Sequence, residues 1–348
     1  MTVPEVSAVI CAYGPEPHLA EVVAAIRASE GVHVEVIVVD NGSPACAGLD
    51  PEVVVLEPGE NTGFARGCNL GVQAASGSTV VFVNSDAFVE PDCLALLHGE
   101  LSDPGVALAG ATVLLADEPG VVNSWGNPVH LVGFSWAGGY GHDVSEAVSG
   151  ERASVSGAVF AARRSLYLWL GGMDPAYFMY GEDVDLSLRA RLGAGSVRVL
   201  STARAHHHYD FSRNPNKMEL VERNRLITVT TTYSARTLAG MAPLLVAAEL
   251  AVLARSRREG WLRQKVAGWR WLAGHRNYLR HRRNRIQGSR MRSDAELLSH
   301  LSVALDPPAR FGMSVPAGWQ KAIATYWAVV GRRVAGVPDT TGAGVRRP

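Results

Sequence analysis

Three acidic stretches stand where chemistry is easiest to build. Asp40 ends an apolar run and opens the turn Asp40-Asn41-Gly42-Ser43-Pro44, and Asn84-Ser85-Asp86 ends another run, Val80-Val81-Phe82-Val83. Glu182-Asp183-Val184-Asp185 follows the loop Gly171-Gly172-Met173-Asp174 and the aromatics Tyr177, Phe178 and Tyr180. A carboxylate just beyond a buried strand can hold a hard cation through oxygen, which is the chemistry open to Asp86. An aromatic ring and a carboxylate, such as Tyr13 and Asp40, suit a nucleobase and its ribose: the ring stacks and the carboxylate accepts. A carboxylate among aromatics can take a proton from a hydroxyl as a general base. Each stretch also has an ordinary structural reading. Asn84-Ser85-Asp86 makes a turn or a helix cap, and Glu182 to Asp185 suit the acidic first turn of a helix. Three acids beside three aromatics are more than one helix start needs. His206-His207-His208 add a metal reading; neighbours on an extended segment point alternately, so only one face reaches a given ion. A zinc hydrolase is disfavoured, because no His-Glu-x-x-His occurs.

These residues need elements to carry them. Residues 6–12, 34–39, 53–56, 80–83 and 106–115 read as strands, and 197–200 as a later one. The spacing of Leu19, Val22, Val23 and Ile26 predicts a helix; others open at Asn61-Thr62-Gly63-Phe64-Ala65, at Pro91, at Glu182 and near Met218. Strands alternating with helices over short connections argue for an α/β fold, a mostly parallel sheet flanked by helices. In such sheets ligands sit beyond the carboxyl ends of the strands, where Tyr13, Asp40, Ser85 and Asp86 all fall. At Asn61, Gly63 and Arg66 a helix start offers N–H groups and positive charge to an anion; the alternative is a capped helix with a solvated arginine. No P-loop and no G-x-G-x-x-G is present, which disfavours a nucleoside triphosphatase or a dinucleotide binder.

The 348 residues balance 33 basic against 33 acidic side chains, but unevenly. Between Arg255 and Arg292 thirteen Lys and Arg face one acid, Glu259, so this segment is +12 and the rest −12. Residues 238–254 are apolar apart from Glu249 and carry Pro243. That is short for a span, which takes about twenty apolar residues, so a membrane-surface or re-entrant helix is expected there, with a packed amphipathic helix as the alternative. The interleaved Trp261, Trp269, Trp271, Tyr278 and arginines match a helical region lying on an anionic membrane surface. No recognition motif supports nucleic acid. Four cysteines without CxxC spacing fit a reduced, cytosolic chain, and Met-Thr-Val-Pro-Glu does not open a signal peptide. The expected organisation is 1–237 as one α/β domain, 238–334 as a basic helical region and 335–348 as a disordered tail.

Five stretches carry a resemblance. They are Val9-Ile10-Cys11-Ala12-Tyr13, Val36 to Ser43, Glu60 to Gly71, Val81-Phe82-Val83-Asn84-Ser85-Asp86, and Phe178 to Leu186. With Val155-Ser156-Gly157-Ala158, Gly171 to Asp174 and Glu222 to Leu226, they are similar to family 2 glycosyltransferases of the GT-A fold, in particular the bacterial rhamnosyltransferase-like branch. The resemblance covers about the first two thirds of the chain. It implies a hexosyltransferase-class enzyme that moves a sugar, with inversion, from a nucleotide-diphosphate donor to a glycan or lipid-linked acceptor. Tyr13 and Asp40 would hold base and ribose, with Asn61, Gly63, Arg66 and Ser85 in the donor pocket. Asp86 would bind Mg²⁺ or Mn²⁺, joined by His207, with His206 and His208 as alternatives. Asp183 would be the base and Glu182 an acceptor-orienting partner; Gly157, Asp185, Arg213 and Arg223 would touch acceptor or diphosphate. Asn84 replaces the first acid of the family's Asp-x-Asp. The place of work would be cytoplasmic, peripheral on the inner face of the plasma membrane. A sugar-1-phosphate nucleotidyltransferase is the alternative; it would be expected to show a Gly-rich N-terminal loop with a basic residue, and Tyr13-Gly14-Pro15-Glu16 is a poor candidate for one.

Overall fold

One sheet organises the chain, in a computed structural model that describes residues 3–208, 216–308 and 315–334. Its strands are β1 (Val6–Ala12), β2 (Val34–Asp40), β3 (Val54–Leu56), β4 (Thr79–Val83) and β5 (Ala87–Val89). β6 (Val106–Leu115), β7 (Glu118–Ser124), β8 (Gly150–Glu151), β9 (Val159–Arg163) and β10 (Ser196–His207) complete it. The helices are α1 (Leu19–Arg27), α2 (Gly63–Ala74), α3 (Cys93–Glu100), α4 (Arg164–Trp169), α5 (Glu182–Gly193) and α6 (Lys217–Thr232). Then follow α7 (Ala235–Arg258), α8 (Leu262–Gly274), α9 (Arg276–Ser289), α10 (Asp294–Ser299) and α11 (Ala317–Val334).

The strand order is β3-β2-β1-β4-β9-β6-β10-β5, with β7 on β6 and β8 on β10. β1, β2, β3, β4, β6 and β10 share one direction; β9 runs against both β4 and β6. The sheet is therefore mixed but mostly parallel. Its central strands are apolar on both faces because helices cover both. Ile10, Val81 and Val83 pack toward α1 and α3, and the alternate residues Val9, Val80 and Phe82 pack toward α2, Tyr167 and α5. This period of two is what the continuous apolar runs encode. In register, Val9 lies beside Phe82 and Ala12 beside Asp40, so the carboxyl ends of β1, β2 and β4 finish level.

Two expectations change. The strand expected over 197–200 continues to His207, because the register slips between Leu200 and Arg204 while pairing with β6 resumes. Polar Ser201 and Thr202 at that irregularity hide the continuation from an apolar pattern. The basic segment is not wholly a surface. Lys265 and Arg282 are buried, and Arg255, Arg283, Arg290 and Arg292 are partly so; seven of the thirteen cations face solvent. Lys265 pairs with Glu222 (2.7 Å) and Glu249 (2.9 Å), and Arg282 with Asp174 (2.8 Å) and Asp185. These buried pairs fasten α8 and α9 to α6 and to the start of α5. Residue 237 lies in the first turn of α7, and residues 335–348 fall outside the described residues.

Candidate active site

The level strand ends gather Tyr13, Asp40 and Asp86 on one rim. Tyr13 follows β1 directly and is 61% exposed. Its loop is zipped to the next: Asn41 N–H donates to Ala12 O (2.9 Å) and Gly14 N–H to Gly42 O (3.2 Å). The Asp40 carboxylate accepts from Gly42 N–H (2.8 Å) and Ser43 N–H (2.6 Å), an Asx turn that fixes its direction. Ser85 is buried in the turn after β4, and that turn hangs on the residue before β9, Asn84 N–H donating to Ala158 O (2.9 Å).

Asp86 and His207 meet because β5 and β10 pair antiparallel, setting His207 opposite Ala87. His207 Nε2 lies 3.0 Å from Asp86 Oδ1, and Asn84 Nδ2 lies 3.4 Å from the same nitrogen. The other ring nitrogen, Nδ1, is 3.4 Å from Asn123 Oδ1 on β7. With a proton on Nδ1 against Asn123, Nε2 presents its lone pair toward Asp86. Neighbouring ligands of an octahedral ion with bonds of about 2.1 Å stand about 3.0 Å apart, the separation of these two donors. A carboxylate oxygen and an imidazole nitrogen thus fit a divalent ion that keeps other positions for phosphate and water. Among the described residues no group of three or more His, Cys, Asp or Glu gathers as a metal site. His206 points elsewhere, to Glu90 (3.1 Å), and His208 stacks on His18 at 4.2 Å.

The second half of the site is the start of α5. Asp183 is 9% exposed; its Oδ2 accepts Gly157 N–H (2.9 Å) and lies 3.5 Å from Asn127 Nδ2, and its Oδ1 accepts Val184 N–H (2.8 Å). Burial raises its pKa against the lowering effect of those backbone donors. Glu182, also buried, has Oε2 without a partner among the described residues; burial and then the charge of Asp183 push it up to about 8. Gly157 and Ala158 are adjacent, so two consecutive residues join the halves: Gly157 N–H holds Asp183, and Ala158 O holds the turn that carries Asp86.

The loop before α5 is strained to deliver it. Phe178 (φ 63°) and Tyr180 (φ 71°) are left-handed non-glycine residues, each costing about 1–3 kcal/mol. Asn224 on α6 holds them there, its amide lying within 3.0 Å of the Tyr177, Met179 and Tyr180 carbonyls.

Four expected contacts are corrected. Asp185 does not face acceptor: it is fully buried and accepts from Arg189 Nε (2.8 Å), Tyr177 Oη (3.0 Å) and Arg282. Burial raises its pKa, but the Arg282 and Arg189 charges outweigh that and hold it below the usual range. Arg223 is buried, donating to Ala176 O (2.7 Å) and stacking over Trp271 at 4.7 Å, so it is a strut for the loop rather than a phosphate ligand. The α2 start is not open to an anion. Asn61 Oδ1 takes Gly63 N–H (2.9 Å), Asn41 Oδ1 takes Thr62 N–H (3.2 Å) and Phe178 O takes Ala65 N–H (3.1 Å). Gly63 is needed there for packing: φ is 76° and a Cβ would stand 2.5 Å from the Phe178 ring. Arg66 is exposed and pairs with Glu60 at 3.1 Å. Arg213 lies outside the described residues. Sequence reasoning assigned no role to Asn123, Asn127 or Asn224; only the polar interruptions of Val121-Val122-Asn123-Ser124-Trp125-Gly126-Asn127 hinted at the first two.

Known proteins share this arrangement of elements. Residues 7–167 match the family model for Glycosyl transferase family 2. The O-antigen biosynthesis protein RfbC of Myxococcus xanthus is 30% identical over 204 residues, which are 52% of this chain and 15% of that protein's length. N-acetylglucosaminyl-diphospho-decaprenol L-rhamnosyltransferase of Mycobacterium tuberculosis (strain ATCC 25618 / H37Rv) is 28% identical over 225 residues, 56% of this chain and 73% of that protein. The crystal structure of GalNAc-T7 with UDP, GalNAc and Mn²⁺ superposes with a TM-score of 0.55 at 14% identity, over 69% of this chain and 51% of that one, a likeness of fold. Residues 7–167 are thus similar to Glycosyl transferase family 2, and the chain has the GT-A fold.

Proposed function

We propose that this enzyme moves a sugar, with inversion, from a nucleotide-diphosphate donor to a hydroxyl of a lipid-linked or polysaccharide acceptor. The observation that carries the reading is the adjacent residue pair, Gly157 and Ala158, that ties Asp183 to the turn bearing Asp86. A group that activates an acceptor and a group that holds a donor diphosphate must sit at a fixed separation, and this linkage fixes it.

In this reading Asp183 takes the proton from the acceptor hydroxyl as that oxygen bonds to the anomeric carbon and the bond to the diphosphate breaks. A raised pKa makes a carboxylate a better base, and burial supplies that rise at Asp183. Glu182 holds a proton at neutral pH and can donate a hydrogen bond to the acceptor. Tyr13 and Asp40 hold base and ribose, and Ser85 lines the donor side. Asp86 and His207 would hold Mg²⁺ or Mn²⁺, which when bound neutralises charge on the leaving diphosphate. Residues 1–237 form the transferase unit and 238–334 a helical region, at the cytoplasmic face of the plasma membrane. Rhamnose is the first sugar to try, because a rhamnosyltransferase is among the relatives.

The experiment is a thermal-shift screen of nucleotide sugars, a nucleoside-diphosphate rhamnose among them, with and without Mn²⁺. Transfer to polyprenyl-diphospho-sugar acceptors follows for each hit. Metal-dependent stabilisation by one donor followed by product formation is expected. No stabilisation by any nucleotide sugar in the presence of metal contradicts the reading.

A further inference from the structure

Sugar transfer leaves one face of the C-terminal helices unexplained. Among the described residues α7 is the one helix long and apolar enough to cross a membrane, yet only 17% of its apolar stretch is buried. Ala239, Pro243, Val246, Leu250 and Ala254 recur every three to four residues and are all exposed, Val246 at 58% and Leu250 at 61%. They form an apolar stripe along one side of the helix. Arg236 precedes the stripe, and Arg257 and Arg258 follow it, all exposed. The helix has a single acid, Glu249, and it is turned inward. Its Oε2 accepts from Lys265 (2.9 Å) and Trp269 (2.8 Å), and its Oε1 from Arg225. The outward face is therefore free of negative charge. α11, which packs on α7 through Tyr326 Oη donating to Gly240 O, exposes Trp319 and Val329. Exposed arginines continue onto α8 and α9 at Arg263, Arg270, Arg276, Arg280 and Arg285.

An apolar face ringed by cations marks an interaction surface, and its charge selects the partner. A second copy would bring arginine against arginine across an isologous contact. Nucleic acid would match the charge but not the apolar stripe. An anionic bilayer matches both, with acyl chains for the stripe and headgroup phosphates for its ends.

We propose that α7 is a docking helix lying in the plane of an anionic bilayer, with Val246 and Leu250 among the acyl chains and Arg257 and Arg258 on the phosphates. It does not span. A span would pull Glu249 from Arg225 and Lys265 and leave buried charges unpaired. The docking deepens the membrane-side reading above but does not rest on the assignment of Asp183 or Asp86.

The test is flotation of the full chain with vesicles of phosphatidylglycerol and phosphatidylcholine, against phosphatidylcholine alone, at low and high salt. At low salt about tenfold or more protein is expected to float with the anionic vesicles, and salt or alkaline carbonate should release it. Val246→Glu with Leu250→Glu, both at exposed positions, should lower flotation about tenfold with an unchanged melting temperature. Equal flotation with neutral vesicles, or a double variant that floats like wild type, overturns the proposal. Resistance to carbonate overturns the in-plane pose. A wild-type dimer in sedimentation velocity that the double variant splits, with flotation unchanged, gives the face to a second copy. Nucleotide-sugar binding in the same preparations should not change in any arm, so failed docking and failed transferase chemistry are read separately.

Discussion

Asp183 and Asp185 are two residues apart in the first turn of one helix, and their surroundings make them opposite. Among the described residues Asp183 has no cation beside it; it is held by backbone N–H groups, and burial raises its pKa. Asp185 is gripped by Arg189 and Arg282, which hold its pKa down. A carboxylate paired with two buried guanidiniums is a fastener, because its charge is already satisfied. A buried carboxylate without a cation keeps its appetite for a proton. Residue type is the same and both lie in one helical turn, but two residues apart they face opposite sides of the helix; what separates the proposed base from the clasp is the partner found on each side.

This contrast can be broken by substitution. Arg282→Ala should have the largest effect, on stability, since it strips the cation from Asp185 and Asp174; about 3–5 kcal/mol is expected in denaturant unfolding. Unchanged stability with lost turnover would place Asp185 in the chemistry instead. His207→Ala and Asp86→Ala should each weaken Mn²⁺ binding, followed calorimetrically in the presence of nucleoside diphosphate, by at least about tenfold. Chelation should abolish transfer and Mn²⁺ restore it; transfer that survives chelation contradicts the metal reading.

Glu182 sharpens the contrast through pH. Folding carries its carboxyl from the ordinary 4.5 to about 8. Between those values the folded protein holds a proton that the unfolded chain has released. Its contribution is therefore fully present below about pH 4.5 and lost as pH rises through about 8. Glu182→Gln should flatten that decline in melts across the range, while Asp185→Asn should not. Asn127→Ala is the mildest test. Its long contact to Asp183 is worth about 1 kcal/mol, so turnover should fall about fivefold with little change in KM for donor.

The strands whose ends carry Tyr13, Asp40 and Asp86 were legible because they are continuous apolar runs ended by turns. β1 and β6 begin and end where the pattern predicts, and the four spaced residues of α1 are all buried. The Asp86–His207 pairing was legible through the resemblance, although the three histidines in a row did not by themselves choose one. The clasp on Asp185 was not legible. Its cation, Arg282, is 97 residues away and sits in a segment whose composition reads as a basic surface. Arg223 misled for the same reason: an arginine near a site reads as a phosphate ligand until its donors are found on the Ala176 and Tyr177 carbonyls. Asn127 and Asn224 hold backbone or a neighbouring carboxylate, a task set by three-dimensional proximity that leaves no spacing in the sequence.

The central claim is that Asp183 removes the acceptor's proton, and Asp183→Asn tests it with two readings on one protein. The account predicts a folded variant whose donor affinity in Mn²⁺ is within about twofold of wild type and whose turnover is lower by about 100- to 10,000-fold. Turnover near that of wild type, with donor affinity preserved, would contradict it.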